Sequence, residues 1–165
     1  MTERNKDTHL QIRVSPKEKA MIARAAKRSG MSMSAWLLSR ALPPQQLKFQ
    51  QLVTALQRNE HERNSYAELN DLLTDLSPSL FSEVLEYKPV QRLSSFAWNY
   101  LTAMIELAAA QKGIAPPAWT RDIKPLATPY FGTALNSLRL HLLTHSPAVF
   151  RHRNIFIDAT LGDRV

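Results

Sequence analysis

The sequence predicts a mainly α-helical protein, in which one N-terminal β-strand and two short helices precede an all-α domain. Three observations support this fold class. Apolar and polar residues alternate over residues 8–14, whereas no such alternation occurs between Gln45 and Arg153. Signals for helix starts recur along the rest of the chain. Two prolines, Pro43 and Pro44, interrupt the helical pattern, so we divide the chain into residues 1–44 and residues 45–165.

The predicted strand cannot be stable by itself. An isolated strand leaves a row of backbone groups unpaired, and one of its faces is apolar. The simplest remedy is a second copy of the chain, which would pair with it as a two-stranded antiparallel ribbon. The apolar face contains Leu10, Ile12 and Val14, and the polar face contains His9, Gln11 and Arg13. The pattern therefore predicts a homodimer whose outer face carries side chains suited to reading base edges.

Local signals predict both ends of the first helix. Ser15 and Glu18 have the spacing of a capping box, and Pro16 takes the first helical position. The helix runs to about Arg28, where positive charge suits the helix dipole, and Gly30 provides the stop.

A second short helix follows a Gly-Met-Ser-Met-Ser turn. Ser32 or Ser34 caps it, it presents Trp36 and Leu37, and it ends before Pro43. The first turn of such a helix leaves backbone N–H groups without partners, which makes it a ready site for a phosphate.

Residues 8–42 resemble a ribbon-helix-helix DNA-binding domain of the antitoxin branch. The resemblance lies in the strand and in the segment RVSPKEKAMIARAAKRSGMSMSAWLLSRAL that continues it. It implies that the outer strand residues enter the major groove and that the start of the second helix holds the DNA backbone. Carried over, the base-reading residues are His9, Gln11 and Arg13, the phosphate-binding residues are Ser32, Met33 and Ser34, and the dimer core contains Leu10, Ile12, Val14, Ile22, Trp36 and Leu37.

The charge distribution agrees with a DNA-binding N-terminal region. Residues 1–42 contain nine Lys or Arg and three Asp or Glu, whereas residues 43–165 contain twelve and eleven. Nearly all of the net charge of +7 therefore belongs to the first quarter of the chain. The alternative interpretation is an ordinary solvated basic face.

Residues 45–165 read as an all-α domain. The apolar run Phe96–Ala110 marks its central buried helix, and a segment rich in proline and aromatic residues, 114–132, packs across the helices as a loop. The predicted helices are Gln45–Gln57, Ser65–Asp75 with a capping box at Ser65 and Glu68, one from Ser77 to about Leu85, Pro89–Lys112, and Thr133–His145. The apolar end, Asn154–Asp158, docks either on its own chain or on a partner, and the sequence favours neither.

Residues 80–160 are similar to bacterial domains that occur as antitoxin partners of nucleotidyltransferase-like proteins. The segments PPAW and SPAVFRHRNIFID carry this similarity, which implies a toxin-binding surface. The expected function is thus an antitoxin that also represses its own operon by binding double-stranded operator DNA. The alternatives are a stand-alone regulator whose helical domain binds a ligand or mediates oligomerisation, and a scaffold that binds no specific DNA.

Several motifs typical of enzymes are missing from the sequence. The chain has no cysteine, no phosphate-cradling glycine loop and no Gly-x-Ser-x-Gly elbow, so we expect neither catalysis nor a cofactor. His141 and His145 are spaced like metal ligands on one helix, but a solvated pair is the interpretation that we favour. A polar N-terminus and the lack of a membrane-length apolar segment predict a cytoplasmic protein that does not contact membranes.

Overall fold

The computed structural model describes residues 11–58 and 62–158 of the chain. The chain divides between Pro43 and Pro44 into two compact units. We call the part before this point unit 1 and the part after it unit 2. The described residues are mainly helical, as the sequence predicts.

Unit 1 contains two helices, α1 (Pro16–Arg28) and α2 (Met33–Ala41), which pack against each other. The predicted capping box of α1 is present: the Ser15 hydroxyl accepts from the Glu18 N–H, and the Glu18 carboxylate accepts from the Ser15 N–H. Gly30 ends this helix at a φ of +64°, a left-handed conformation that glycine adopts without strain.

The N-terminal strand is not formed within the described part of a single chain. Residues 11–15 have no regular secondary structure, and residues 8–10 lie outside the described residues. The strand and its pairing with a second copy therefore stay predictions.

Unit 2 contains six α-helices, one 3-10 helix and one pair of two-residue strands in its described part. Helices α3 and α4 pack against each other, and α6 contacts both α4 and α8. The elements in chain order are α3 (Pro44–Arg58), α4 (Glu62–Asp75), α5 (Pro78–Val84), α6 (Ser95–Gln111), the 3-10 helix (Ala118–Asp122), β1 (Tyr130–Phe131), α7 (Asn136–His145), α8 (Ala148–Arg151) and β2 (Ile155–Phe156).

Three predicted helix starts in unit 2 are wrong, each by three residues or more. Helix α4 begins at Glu62, so Ser65 lies inside it as a buried residue and is not its N-cap. Helix α6 begins at Ser95, not at Pro89, because the Ser94 hydroxyl accepts from the Ala97 N–H and caps the helix there. The last long helix likewise starts at Asn136, three residues later than predicted.

Helix α6 is the centre of the unit 2 core, which confirms the interpretation of its apolar sequence. Leu101, Ala103 and Ile105 are fully buried on it. The core also contains Phe49 and Val53 from α3 and a row of leucines from α4. Helix α6 ends at Gln111, and Gly113 follows its C-cap residue Lys112 with a φ of +66°.

The C-terminal segment packs on its own chain. Ile155, Phe156 and Ile157 are buried, and β2 pairs in parallel with β1, so that Tyr130 lies opposite Ile155. Of the two docking modes left open by the sequence, the structure shows the one on the same chain. The short strand pair also corrects the expectation that this domain is purely helical.

Within the described residues, no helix has both the length and the apolar character needed to span a membrane.

Candidate nucleic-acid interface

The described residues of the predicted base-reading strand are open to solvent. Gln11 and Arg13 are both exposed, and neither makes a side-chain hydrogen bond or ion pair within the described part of the chain. His9 lies outside the described residues, so its role stays a prediction. Two exposed side chains of this kind match the chemistry of base-edge readout, in which Arg pairs with guanine and Gln with adenine.

The start of α2 offers free donors, as the phosphate prediction requires. The Ser32 hydroxyl caps the helix by accepting from the Ala35 N–H at 3.2 Å. The N–H groups of Met33 and Ser34, which come before Ala35, have no acceptor among the described residues. Both residues are exposed. The Ser32 hydroxyl is thus the cap, and the backbone N–H groups of Met33 and Ser34 can donate to a phosphate oxygen, while the predicted role of the Ser32 backbone N–H stays a prediction.

The cations of unit 1 are not neutralised by neighbouring carboxylates. No cation of unit 1 forms an ion pair with another described residue of that unit, and the ion pair of Arg153 with Glu106 lies within unit 2. Glu18, the only carboxylate in the described part of unit 1, is held by Ser15. The exposed positive side chains therefore keep their full charge for a polyanion. They are Arg13, Lys17, Lys19, Arg24, Lys27, Arg28 and Arg40.

The capping box also shapes the electrostatics at the start of α1. Hydrogen bonds from the Ser15 N–H (2.7 Å) and hydroxyl (2.8 Å) lower the pKa of the Glu18 carboxyl below its usual value. Glu18 thus stays ionised, where a negative charge stabilises the helix N-terminus.

An apolar groove of about 770 Å³ crosses unit 1 between α1 and α2. Its floor contains Met21, Ile22 and Ala25 of α1 together with Trp36 of α2, and its rim carries cations. A groove of this composition exposes apolar surface to water, which is unfavourable for a single chain.

The predicted dimer-core residues are not buried in one chain. Ile22, Trp36 and Leu37 are half-buried, whereas Ile12 is 56% exposed and Val14 is 41% exposed. Ile22 and Trp36 come together in the groove. Leu10 lies outside the described residues, so its contacts stay a prediction.

The structure adds five groove residues that the predicted site did not include, one of which is Ala25. Met21 is 57% exposed and lies beside Ile22, and the rim cations are Arg24, Lys27 and Arg28. Met21 could have been found from the sequence, because it is an apolar residue next to Ile22 on the predicted first helix. The rim cations carried no separate signal, because a lysine or arginine on a helix is most often simply solvated.

In unit 2, three consecutive basic residues, Arg151, His152 and Arg153, suggest an exposed basic patch, but the structure does not show one. Arg151 and His152 are exposed, but Arg153 is buried and ion-paired. His141 and His145 are exposed, as predicted. No group of three or more potential metal ligands lies close together in the described part of the chain.

Comparison with protein families finds one similarity. Residues 4–72 match the family described as NikA-like, Mobilization protein NikA. The match covers less than half of the chain, and it extends through unit 1 into unit 2 as far as α4. No curated protein matches the chain, and no solved structure does.

Proposed function

We propose that this chain is a mobilization protein that binds double-stranded DNA as a homodimer through unit 1. The similarity to the NikA-like family supports the biological role, since mobilization acts on DNA. The observation that carries the proposal is the incomplete core of unit 1. Among its described residues, Ala26 is the single buried apolar side chain, while the remaining apolar residues are half-buried or exposed.

A second copy of unit 1 is the occupant that best fits this groove. A unit of about 40 residues cannot bury enough apolar surface to be stable alone. The exposed Ile12 and Val14 of one copy are adjacent to α1 in sequence and supply apolar side chains of suitable size. Pairing of the two N-terminal segments would satisfy their backbone groups and bury these side chains together.

The same pairing would place the DNA-binding groups in two symmetric sets. The polar strand residues Gln11 and Arg13 would lie on the outer face of the ribbon, opposite the apolar face. The free N–H groups of Met33 and Ser34 would then contact phosphates on both sides of it. Base contacts provide specificity in this arrangement, and the phosphate contacts fix the register.

The first experiment is selection of binding sites from a random duplex library by the full chain, followed by fluorescence anisotropy on the selected site. We expect one enriched sequence with two related half-sites and two chains bound per site. If about five phosphates are contacted, affinity should fall about 500-fold between 50 and 200 mM salt. No enrichment, or an affinity that does not change with salt, would contradict the proposal.

The antitoxin function concerns a partner of unit 2, and neither the fold nor the family similarity bears on it. It stays a prediction, as do the ligand-sensing alternative and the predicted toxin partner. Co-expression of the untagged chain with its neighbouring genes, followed by isolation of the complex, distinguishes them. A stoichiometric growth-inhibiting partner would support an antitoxin, and a DNA-processing partner would support mobilization.

A further inference from the structure

Helix α7 carries leucines that the described part of the chain leaves uncovered. Leu142 is the one buried residue of this helix, and its other nine residues are exposed. Leu140 is 73% exposed and Leu143 is 41% exposed. These two residues are three positions apart, so they lie on the same side of the helix. Leu140 is two positions before Leu142 and therefore points to nearly the opposite side. We call Leu140 and Leu143 the leucine face.

The helix has little support of its own. It is ten residues long, and helices of this length are marginal in water without tertiary contacts. Its N-cap residue is Leu135, which provides no side-chain hydrogen bond to the first turn. A second element packed on the leucine face would add the apolar contact that Leu142 provides only on the other side.

The segment that contains α7 carries charge of one sign. Residues 123–157 contain no Asp or Glu, although residues 43–165 contain eleven. The same segment contains four Lys or Arg residues, and only Arg153 among them is buried and paired with a carboxylate. The other three are exposed and are Lys124, Arg139 and Arg151. An acidic partner would therefore meet cations here and no competing carboxylate.

Arg139 lies at the edge of the leucine face. It precedes Leu143 by one helical turn and is the neighbour of Leu140 in sequence. Its guanidinium lies 5.2 Å from the centroid of the Phe131 ring, and it forms no ion pair with a described residue. The contact with Phe131 restricts the side chain, so less rotamer entropy is lost when a carboxylate binds it.

We propose that the leucine face binds an amphipathic helix of another protein, in which Asp or Glu residues flank the apolar side chains. Leucines three positions apart form part of a ridge, into which the side chains of a second helix can pack. The flanking carboxylates would pair with Arg139 and the neighbouring cations, which makes the surface selective for an acidic helix. This inference concerns unit 2 and does not depend on DNA binding by unit 1.

The same features disfavour the other occupants of this surface. A second copy of α7 would bring two sets of cations together without a carboxylate between them. The DNA backbone would pair with the cations but leave the leucines without apolar contacts. A helix that lies in a membrane interface is rich in Lys and Arg on its polar face, whereas Arg139 is the one such residue of α7.

The test uses two synthetic helical peptides of about 14 residues, or about four turns, with the untagged full chain. One peptide has a row of leucines flanked by glutamates, and the other has lysines in place of the glutamates. Fluorescence anisotropy measures the affinities, and we expect the acidic peptide to bind at least about tenfold more tightly. The backbone amide signals that shift most in NMR should belong to α7.

Variants of α7 assign the binding to the leucine face, which is necessary because unit 1 is also basic. L140A should weaken binding of the acidic peptide about tenfold, since it removes most of one apolar contact. R139E should weaken the acidic peptide and strengthen the lysine peptide, each about fivefold, because it reverses the charge beside the leucines. Both positions are exposed, and Ala and Glu are good helix formers, so folding is preserved.

Val90 is the matched control, because it is an aliphatic residue of unit 2 that is 92% exposed outside α7. V90A should leave both affinities unchanged. The proposal is overturned if the acidic peptide does not bind, if both peptides bind equally, or if L140A binds the acidic peptide as tightly as the unaltered chain.

Three further results would assign the surface to another occupant and equally overturn the proposal. Weaker self-association of L140A in sedimentation equilibrium would indicate a second copy. Binding to phosphatidylserine vesicles that L140A abolishes would indicate a membrane. Binding of the acidic peptide only by a chain truncated after Asp158 would indicate that residues 159–165 of the same chain cover the leucine face.

Discussion

The guanidinium of Arg153 donates two hydrogen bonds to the carboxylate of Glu106, from Nε at 3.0 Å and from Nη2 at 2.5 Å. Its other donors reach Asn99 and the backbone carbonyls of Thr120 and Ile123. All five N–H groups of this buried arginine therefore have acceptors. The C-terminal segment is thus joined to the middle of α6 and to the 3-10 helix by one side chain.

Replacing Arg153 by alanine should lower the free energy of unfolding by about 3–5 kcal/mol. This change removes one partner of a largely buried pair and leaves the Glu106 charge uncompensated. The 19% exposure of the Glu106 side chain places the expected value at the lower end. Urea denaturation followed by circular dichroism measures it.

Arg151 provides the matched control for this substitution, since it lies two residues away on the same segment and is exposed. R151A should change the free energy of unfolding by less than about 0.5 kcal/mol. Equal losses for the two variants would show that the buried ion pair contributes nothing.

Replacing Gly113 by alanine should destabilise the protein because of the backbone conformation at this position. Its φ is +66°, but a Cβ added there would meet no atom within 4 Å. G113A should therefore cost about 1–2 kcal/mol, the penalty of a left-handed residue with a side chain. G113N should cost less, because asparagine tolerates this conformation. Thermal unfolding of the two variants compares them, and similar melting temperatures would argue against this cause.

The start of α1 should lose stability in acid. The pKa of Glu18 is lowered in the folded chain, first by the Ser15 N–H and then by the Ser15 hydroxyl. The carboxylate therefore stabilises the fold above its ordinary pKa of 4.5, and this contribution is lost as the pH falls through the lowered value. NMR titration of the Glu18 carboxyl measures the folded pKa directly.

The Ser15 hydroxyl can be removed separately from the Ser15 N–H. In S15A the pKa of Glu18 should rise only partway to its ordinary value, because the larger contribution from the backbone N–H remains. A pKa of Glu18 that is ordinary in the unaltered chain would mean that the capping box does not form in solution.

If the proposed function is correct, Arg13 should contribute to recognition of the DNA sequence. R13A should weaken binding to the selected DNA site by about 1–3 kcal/mol and relax the preference at one base pair. R13K is the informative companion, because it keeps the charge and loses the planar fork that pairs with guanine. We expect R13K to retain affinity for unrelated DNA while losing discrimination. Anisotropy with matched and mismatched duplexes measures the affinity and the discrimination separately. Intact discrimination in R13K would exclude Arg13 from base reading.

Trp36 should be needed for self-association, since it is the largest side chain in the groove of unit 1. W36A should weaken the dimer by about 2 kcal/mol or more, or about 30-fold in Kd, as buried tryptophans at interfaces do. Sedimentation equilibrium measures this change. Arg40, whose guanidinium lies 5.6 Å above the Trp36 ring, is the control. R40A removes charge but not the apolar floor, so its dimer should persist.

Local sequence signals predicted the helices of unit 1 because their determinants lie within a few residues. The capping box at Ser15 and the stop at Gly30 both act over one turn. The same signal failed at Ser65, where the pattern Ser-x-x-Glu is identical. There the helix starts earlier, because Leu69, Leu72 and Leu73 on α4 pack on α3 and tertiary packing overrides the local preference.

Local sequence patterns could not predict contacts between residues that are distant in the sequence. Arg153 and Glu106 are 47 positions apart, and a run of three basic residues is indistinguishable from a solvated patch until its partner is known. The β1–β2 pair is too short to show alternation, having two residues per strand. In unit 1, the proposed base-reading and phosphate-binding residues were inferred from the pattern of the sequence and stay a prediction. The groove could not be inferred in this way, because it depends on how α1 and α2 pack.

The position of Arg153 sets the order in which the two units can mature during synthesis. At about 5–20 residues per second, the ribosome reaches Arg153 about 2–9 seconds after Glu106. Until then α6 carries a carboxylate without its counter-charge, and β1 has no strand to pair with. Unit 1 is complete long before this moment. On the proposed function, a nascent chain can therefore present its unit 1 to another copy while its own second unit is still open.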